Sequence, residues 1–343
     1  MTAAHPGRTT SVGGSGVRRR IRTVPGVFAA FVLLVLTAPI MFPVVALIDL
    51  FTGRRRLPTP RLLAMAIAAL GIDAVGLVAL GGMWVVSGCG RFTHARFVQR
   101  AHFALQHWWT GALMDAAEVT LGLRMIVEDD GPARTGNAIV IGRHTSIGDA
   151  AIPAVLLGNR HRFDVRYVLK HDLQWDPCID IVGHRLPPHF VDRGGDSATE
   201  AIATRRIATG LDDRSVAVIF PEGTFFTEAR HERAVRRLEA GSRPELAARA
   251  AGLRHLLPPR TVGTLALLDG APDADVVVLG HIGFEQFSSL RSIRRSVPFR
   301  EPVRIWLRRI QRADVPVDTE ARVDWLYREW ERLDTEIADR TER

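Results

Sequence analysis

Lysine is nearly missing from this chain of 343 residues: Lys170 stands alone against 44 arginines. Such a skew reflects genome composition, as in a GC-rich bacterium, more than function. Cysteine is almost as scarce. Cys89 and Cys178 make neither a disulfide framework nor a metal site, and His184 and His189 lack the partner spacing of a zinc site, so no metal is expected. No Gly-x-Ser-x-Gly elbow occurs, which excludes a serine hydrolase built on that turn. Repeats and low-complexity tracts are absent too, apart from a Gly/Ser/Arg-rich stretch over 1–26, expected to be a disordered basic tail.

Charge is absent from Val27 to Ile48, and Leu62 to Cys89 carries only Asp73. Each stretch exceeds the roughly 18 apolar residues that mark a membrane segment. A cleaved secretory signal competes for the first, given Arg18, Arg19, Arg20 and Arg22 ahead of it. The run is too long for an apolar signal region of about 7 to 15 residues, and a second run follows at once. Further arginine clusters lie between the segments (Arg54, Arg55, Arg56, Arg61) and after them (Arg91, Arg96, Arg100). Two full spans would leave the middle cluster outside, against the positive-inside tendency. Pro39 and Pro43 are expected to break the first segment. A shallow hairpin over 27–90, with segments near 27–50 and 62–88, enters and leaves the same leaflet and keeps every cluster cytoplasmic. The net charge of +8 then suits anionic headgroups at a cell membrane better than nucleic acid, because the clusters flank apolar segments. Asp73 marks either a polar contact between helices or the hairpin tip.

Over 91–125, Phe97, Val98, Ala101, Ala104, Leu105, Trp108, Trp109, Ala112 and Leu113 recur at helical spacing, with Arg96, Arg100, Gln106 and His107 off that stripe. The stripe reads either as an amphipathic interfacial helix with Trp108 and Trp109 at headgroup level, or as a face packed on the domain that follows. From 126 to 343 short apolar runs alternate with helical segments. Strands are expected over Ala138 to Gly142, Phe163 to Leu169, Ser215 to Phe220, Asp275 to Gly280 and Val303 to Leu307. Helices are expected over Ile147 to Leu157, Ser197 to Thr209 and Ala234 to Ala251. The pattern is that of an α/β domain, a mixed sheet flanked by helices, preceded by the N-terminal hydrophobic helical hairpin.

Two sites in the chain read His-x-x-x-x-Asp, His144 to Asp149 and His171 to Asp176, where about one is expected by chance. Context separates them. His144 directly follows the strand Ala138 to Gly142, and Asp149 lies about one turn into the next helix, so both sit at the carboxyl end of a strand, where α/β sheets open their sites. Asp149 can then accept from one imidazole nitrogen and leave the other basic toward a hydroxyl. Asp176 instead precedes Pro177, which favours an extended loop over a helix start. Phe220-Pro221-Glu222-Gly223-Thr224 ends the strand Ser215 to Phe220 with a rigid turn that projects Glu222 near the same edge, although Pro-Glu-Gly is also ordinary turn chemistry.

In order along the chain, His144 to Asp149, Phe190-Val191-Asp192-Arg193, Phe220 to Thr224 and the apolar strand Val276 to Leu279 resemble the motifs of the glycerolipid acyltransferases, the lysophosphatidic acid and lysophospholipid acyltransferases. The likeness extends to Leu256-Leu257-Pro258-Pro259-Arg260-Thr261 and to Trp325, Leu326, Tyr327, Trp330 and Asp334. The resemblance implies a membrane-bound enzyme that moves an acyl group from acyl-CoA or acyl-ACP, as co-substrate rather than cofactor, to the hydroxyl of lysophosphatidic acid. It implies His144 as general base oriented by Asp149, no covalent intermediate, and no bound cofactor. Arg193 would hold the acceptor phosphate, Glu222, Gly223 and Thr224 would shape the glycerol and phosphate pocket, and Lys170 would add a second cationic contact. Family members often carry Asn and Arg where this chain has Arg143 and Phe225. That departure leaves open a lysophospholipid with a larger headgroup or glycerol 3-phosphate as acceptor, with Arg143 or Arg193 compensating. A CoA-independent transacylase and a non-catalytic membrane scaffold are the remaining alternatives.

Overall fold

The computed structural model describes residues 14–186, 190–191, 197–241, 243–287 and 289–342. Two long apolar helices come first, α1 (Gly14–Phe51) and α2 (Pro58–Val86), packed on each other as a hairpin and both long and apolar enough to cross a membrane. The basic tail expected to be disordered through residue 26 is helical from Gly14. Two of its arginines have a partner, since Arg19 and Arg20 each reach Asp180 at 2.6 Å. The expected break at Pro39 and Pro43 is also absent, and α1 runs through both. A helix keeps most of its backbone groups bonded internally, which favours continuity in an apolar setting even where proline removes a donor.

Helix α3 (Arg96–Leu121) lies between the hairpin and the rest of the chain. Val98, Phe103, Leu105, Ala117 and Leu121 are buried, while Phe97 and Trp108 are exposed. Trp109 is not at a headgroup level of its own: its indole N–H donates to Asp73 of α2 at 2.7 Å. Asp73 is therefore the polar contact between helices, and a buried indole with an acceptor gains more than one left unpaired. Gln106 and His107, off the apolar stripe, reach the carbonyls of Val165 and Phe163 and tie α3 to the domain.

Along the domain run β1 (Met125–Val127), β2 (Ala138–Gly142), a helical stretch through Ile147–Ala150, α4 (Ala151–Pro153) and Ala154–Arg160, then β3 (Asp164–Tyr167) and β4 (Leu169–Lys170). Next come α5 (Pro177–Arg185), β5 (Phe190–Val191), α6 (Ser197–Ala208), β6 (Ser215–Ile219), α7 (Glu228–Glu239) and α8 (Pro244–Gly252). The chain closes with α9 (Thr261–Gly270), β7 (Asp275–Ile282), α10 (Leu290–Ser296), β8 (Val303–Ile310) and α11 (Thr319–Thr341). The one helix expected over Ala234 to Ala251 is two. Gly241 falls between them, and Pro244 opens α8 at a position that needs no amide donor.

Six strands form a mixed sheet in the order β1-β8-β7-β2-β6-β3, parallel except where β7 meets β8. A second pair, β4 and β5, is parallel. The central strands are apolar on both faces, and their residues alternate between two cores. Val140, Val218 and Leu279 point toward α3 and the 147–160 stretch. Ile141, Ile219 and Val278 point toward α6, α9 and α11. The result is the α/β layering with helices on both faces that the alternation of elements predicts.

Candidate active site

Three neighbouring strands deliver the site. His144 follows β2, Glu222 follows β6 on one side, and His281 sits near the end of β7 on the other. All three lie at carboxyl ends of parallel strands, the edge at which such sheets bind ligands.

Asp149 is fully buried and collects donors from the corner between β2 and the next helix. His144 Nδ1 is 3.1 Å from its Oδ2. The Ser146 amide donates at 2.7 Å, the Ser146 and Thr145 hydroxyls at 3.0 and 3.2 Å, and the Thr145 amide closes the set. Burial alone would raise this carboxyl, but the hydrogen bond from His144, the neighbouring His281 and the Ser146 amide hold it below its ordinary value. A carboxylate so held fixes the imidazole with Nδ1–H donated inward, which leaves Nε2 as the basic nitrogen. His281 is 3.7 Å from the other oxygen of Asp149, and burial pushes its imidazole toward the neutral form.

The turn after β6 grips His144 by its backbone and its ring. Glu222 Oε1 accepts from the His144 amide at 2.6 Å, and Oε2 accepts from the Leu257 amide at 2.9 Å. The His144 carbonyl accepts from Phe226 at 3.2 Å. Phe220 stacks on the imidazole at 4.9 Å between centroids, and Phe225 meets it edge-on at 4.6 Å. Gly142 makes room for Phe220, since a Cβ there would come within 2.9 Å of its ring. Glu222 thus shapes the site from beneath, with both oxygens committed to amides. Burial pushes its carboxyl up to about 8 against the pull of those two N–H groups.

Gly223 has φ +71°, and an added Cβ would meet Arg260 Nε at 3.1 Å. Arg260 donates its amide to the Pro221 carbonyl at 2.9 Å, which fastens this guanidinium beside Gly223 and Thr224. The place of Arg260 depends on a contact with Gly223, 37 residues earlier in the chain, which no local motif signals. His281 carried no sequence signal beyond the end of an apolar strand. Arg143 does not compensate for Phe225. It is buried and donates to the His281 carbonyl at 2.7 Å and to Glu285 at 2.6 Å, bracing the end of β7.

Lys170 falls on β4 with its side chain outside what is described, and Arg193 lies outside the described residues altogether. The competing pair is separated by its surroundings. Asp176 caps α5, accepting from the Cys178 and Ile179 amides at 2.8 and 3.1 Å. Pro177 was expected to favour a loop; it instead opens α5, with Asp176 itself extended as a residue before proline should be. Asp73, Asp176 and Cys178 bring three potential ligand atoms within 4.8 Å of one another, a grouping the spacing of the cysteines did not reveal.

His144 lines an apolar cavity of about 770 Å³ that extends between α2, α3 and α5, walled by Met65, Leu80, Leu105, Trp109 and Cys178. On the other side of Phe220 a wider groove of about 1280 Å³ runs past Glu222, Gly223, Thr224 and Arg260. An α/β sheet that sets a buried-carboxylate histidine between an apolar cavity and a cationic groove has the parts for transferring an amphipathic group to a hydroxyl. Residues 124–258 match the family model described as Acyltransferase. The fold is also similar to the crystal structure of the 1-acyl-sn-glycerophosphate (LPA) acyltransferase, PlsC, from Thermotoga maritima, with 13% identity and a TM-score of 0.45 over 78% of this chain and 96% of that one.

Proposed function

We propose that this acyltransferase moves a fatty acyl group from acyl-CoA to the free hydroxyl of lysophosphatidic acid, giving phosphatidic acid. The observation that carries the reading is the His144–Asp149 pair set at the mouth of an apolar cavity sized for a small ligand. His144 Nε2 takes the proton of the acceptor hydroxyl as its oxygen attacks the thioester carbonyl, and Asp149 stabilises the imidazolium. Collapse of the tetrahedral intermediate breaks the C–S bond, and the proton on His144 passes to the leaving thiolate. No acyl-enzyme forms and no cofactor takes part. The Gly223–Thr224 turn borders the acceptor phosphate, with Arg260 as the guanidinium beside it and Arg193 and Lys170 as further contacts. Phe225 packs on His144, where family members often offer an arginine, and this favours a second acceptor class, lysophospholipids with larger headgroups.

The hairpin is read as lying along one leaflet. Both ends of α1 touch the domain: Arg19 and Arg20 reach Asp180, and Asp49 accepts from Arg294 at 3.2 Å. Those ends are about 45 Å apart along the helix, longer than the roughly 30 Å hydrocarbon core, so a spanning α1 would put one domain on both sides of a bilayer. The remaining exposed surface of α1, including Leu36 and Ile40, suits a cell membrane with the domain on the cytoplasmic face.

The test is purified protein in detergent with radiolabelled acyl-CoA against lysophosphatidic acid, other lysolipids and glycerol 3-phosphate. CoA release with labelled phosphatidic acid is expected, and His144→Ala should cut kcat about 10²- to 10⁴-fold with an unchanged melting temperature. Acyl movement without CoA release marks a transacylase. Full turnover by folded His144→Ala would end the proposed mechanism, and no turnover by wild type with any acceptor would favour a scaffold.

A further inference from the structure

Helix α7 buries no residue, yet it holds four arginines, Arg230, Arg233, Arg236 and Arg237. A helix that contributes nothing to the core has another reason to be ordered. Arg236 pairs with Glu232, but Arg233 and Arg237 have no acidic partner among the described residues, nor does Arg243 just before α8. Arg230, Arg233 and Arg237 repeat at helical spacing, so they share one face, and that face lines the wider groove together with Arg243. Five guanidiniums, counting Arg260, face two acids on the groove walls, Glu200 and Glu222, and Glu222 spends both oxygens on amides.

The groove begins at the catalytic turn. Arg230 Nη1 donates to the Phe225 carbonyl at 3.0 Å, which fixes the start of α7 to the residue that packs against His144. Phe220 and Val168 line both the groove and the apolar cavity, so the two meet beside His144. One acceptor phosphate is served by Arg260 at the turn. The arginines that continue for two more turns of α7 exceed what a single monoester needs. Leu238 adds apolar surface against which a flat heterocycle can lie.

We propose that the α7 groove binds the nucleotide end of the donor, the adenosine 3′-phosphate 5′-diphosphate of acyl-CoA, with Arg233, Arg237 and Arg243 on its phosphates. The acyl chain then occupies the apolar cavity, and the pantetheine arm crosses beside Phe220 and brings the thioester to His144. This placement rests on the proposed use of acyl-CoA. Planar, permanently charged forks suit multiply charged phosphates better than they suit an acidic protein surface held at a distance.

The test pairs direct binding with kinetics on Arg233→Gln/Arg237→Gln, both exposed positions, in the full-length protein. Adenosine 3′,5′-bisphosphate is titrated calorimetrically into wild type and variant, a measurement that needs no turnover. Binding by wild type that weakens about tenfold or more in the variant is expected, with a matching rise in KM for acyl-CoA, an unchanged KM for the acceptor, and no penalty on an acyl-pantetheine thioester. Wild-type protein that turns over acyl-CoA but does not bind the bisphosphate overturns the groove assignment and leaves the proposed reaction standing. Binding without turnover of any acceptor does the reverse. A variant defect in acceptor KM alone reassigns the groove to the acceptor, and use of acyl-ACP with no bisphosphate binding reassigns it to a carrier protein; either result overturns the proposal.

Discussion

At Glu222 one carboxyl joins two distant pieces of chain, His144 and Leu257, and its protonation is tied to folding. Its ordinary value is 4.5, and burial pushes it up to about 8. The folded state therefore holds this proton through a window in which the unfolded chain has released it, and the stability it supplies is lost as pH rises toward about 8. Asp149 works in the other direction. Its carboxyl is held below the ordinary value, so its contribution is present above the unfolded value and lost as pH falls through the lowered one. Between about pH 5 and about pH 8 the melting temperature in detergent is expected to fall, and Glu222→Gln should flatten that slope. An unchanged slope in Glu222→Gln would exclude Glu222 as its source. Glu222→Gln also replaces one acceptor oxygen by an amide donor, so one of the two buried N–H groups loses its partner, at a cost of about 1–3 kcal/mol.

Among the elements, α11 supports the site from behind. Trp330 is fully buried and donates to the Leu257 carbonyl at 2.9 Å, while Asp334 accepts from the Arg254 and His255 amides at 3.0 and 2.8 Å. The segment that bonds Glu222 is thereby held from behind. Trp330→Ala is expected to cost about 3–5 kcal/mol by cavity formation, whereas Trp330→Phe keeps most of the volume and removes the N–H. Trp330→Phe should lower kcat while leaving the melting temperature within a few degrees, measured by steady-state assay and thermal melting. Equal kcat in Trp330→Phe and wild type would confine α11 to packing.

Elements buried on both faces were legible in the chain: β2 and β6 begin where their apolar runs begin, at Ala138 and Ser215. Polar strand ends were not. β8 continues through Arg308 and Arg309 because Glu329 and Asp275 pair with them, and β7 reaches His281 because Asp149 and the Arg143 carbonyl lie beside it. The split between α7 and α8 was written in Gly241 and Pro244 but outweighed by the helical spacing around them. At the site, His144 and Asp149 were readable because five residues of chain span the corner. The ties of Glu222 were not, because Leu257 is 35 positions further on.

On the scale of the whole molecule, the hairpin is fastened at two places rather than hung from one. Burial raises the Asp180 carboxyl, but hydrogen bonds from His184, Arg20 and Arg19 outweigh it and hold the group below the ordinary carboxylate range. The ion pairs with α1 therefore persist well into acid, because this carboxylate loses its charge only below the usual titration range. Asp180→Asn is expected to free the amino end of α1, read as faster tryptic cleavage at Arg18 to Arg22 in detergent with the domain's melting temperature little changed. Identical cleavage kinetics in both proteins would show that the pairs with Asp180 do not hold that end.

Helix α2 contributes Met65 and Leu80 to the cavity beside His144, while Val75 and Val78 on the same helix are exposed. A wall one helix thick thus stands between the cavity beside His144 and the surrounding medium. In the proposed setting that medium is lipid, and the reactant is counted per area rather than per volume. Turnover then follows the mole fraction of lysolipid in the bilayer, so spreading a fixed amount over more inert phospholipid slows the enzyme although the bulk concentration is the same.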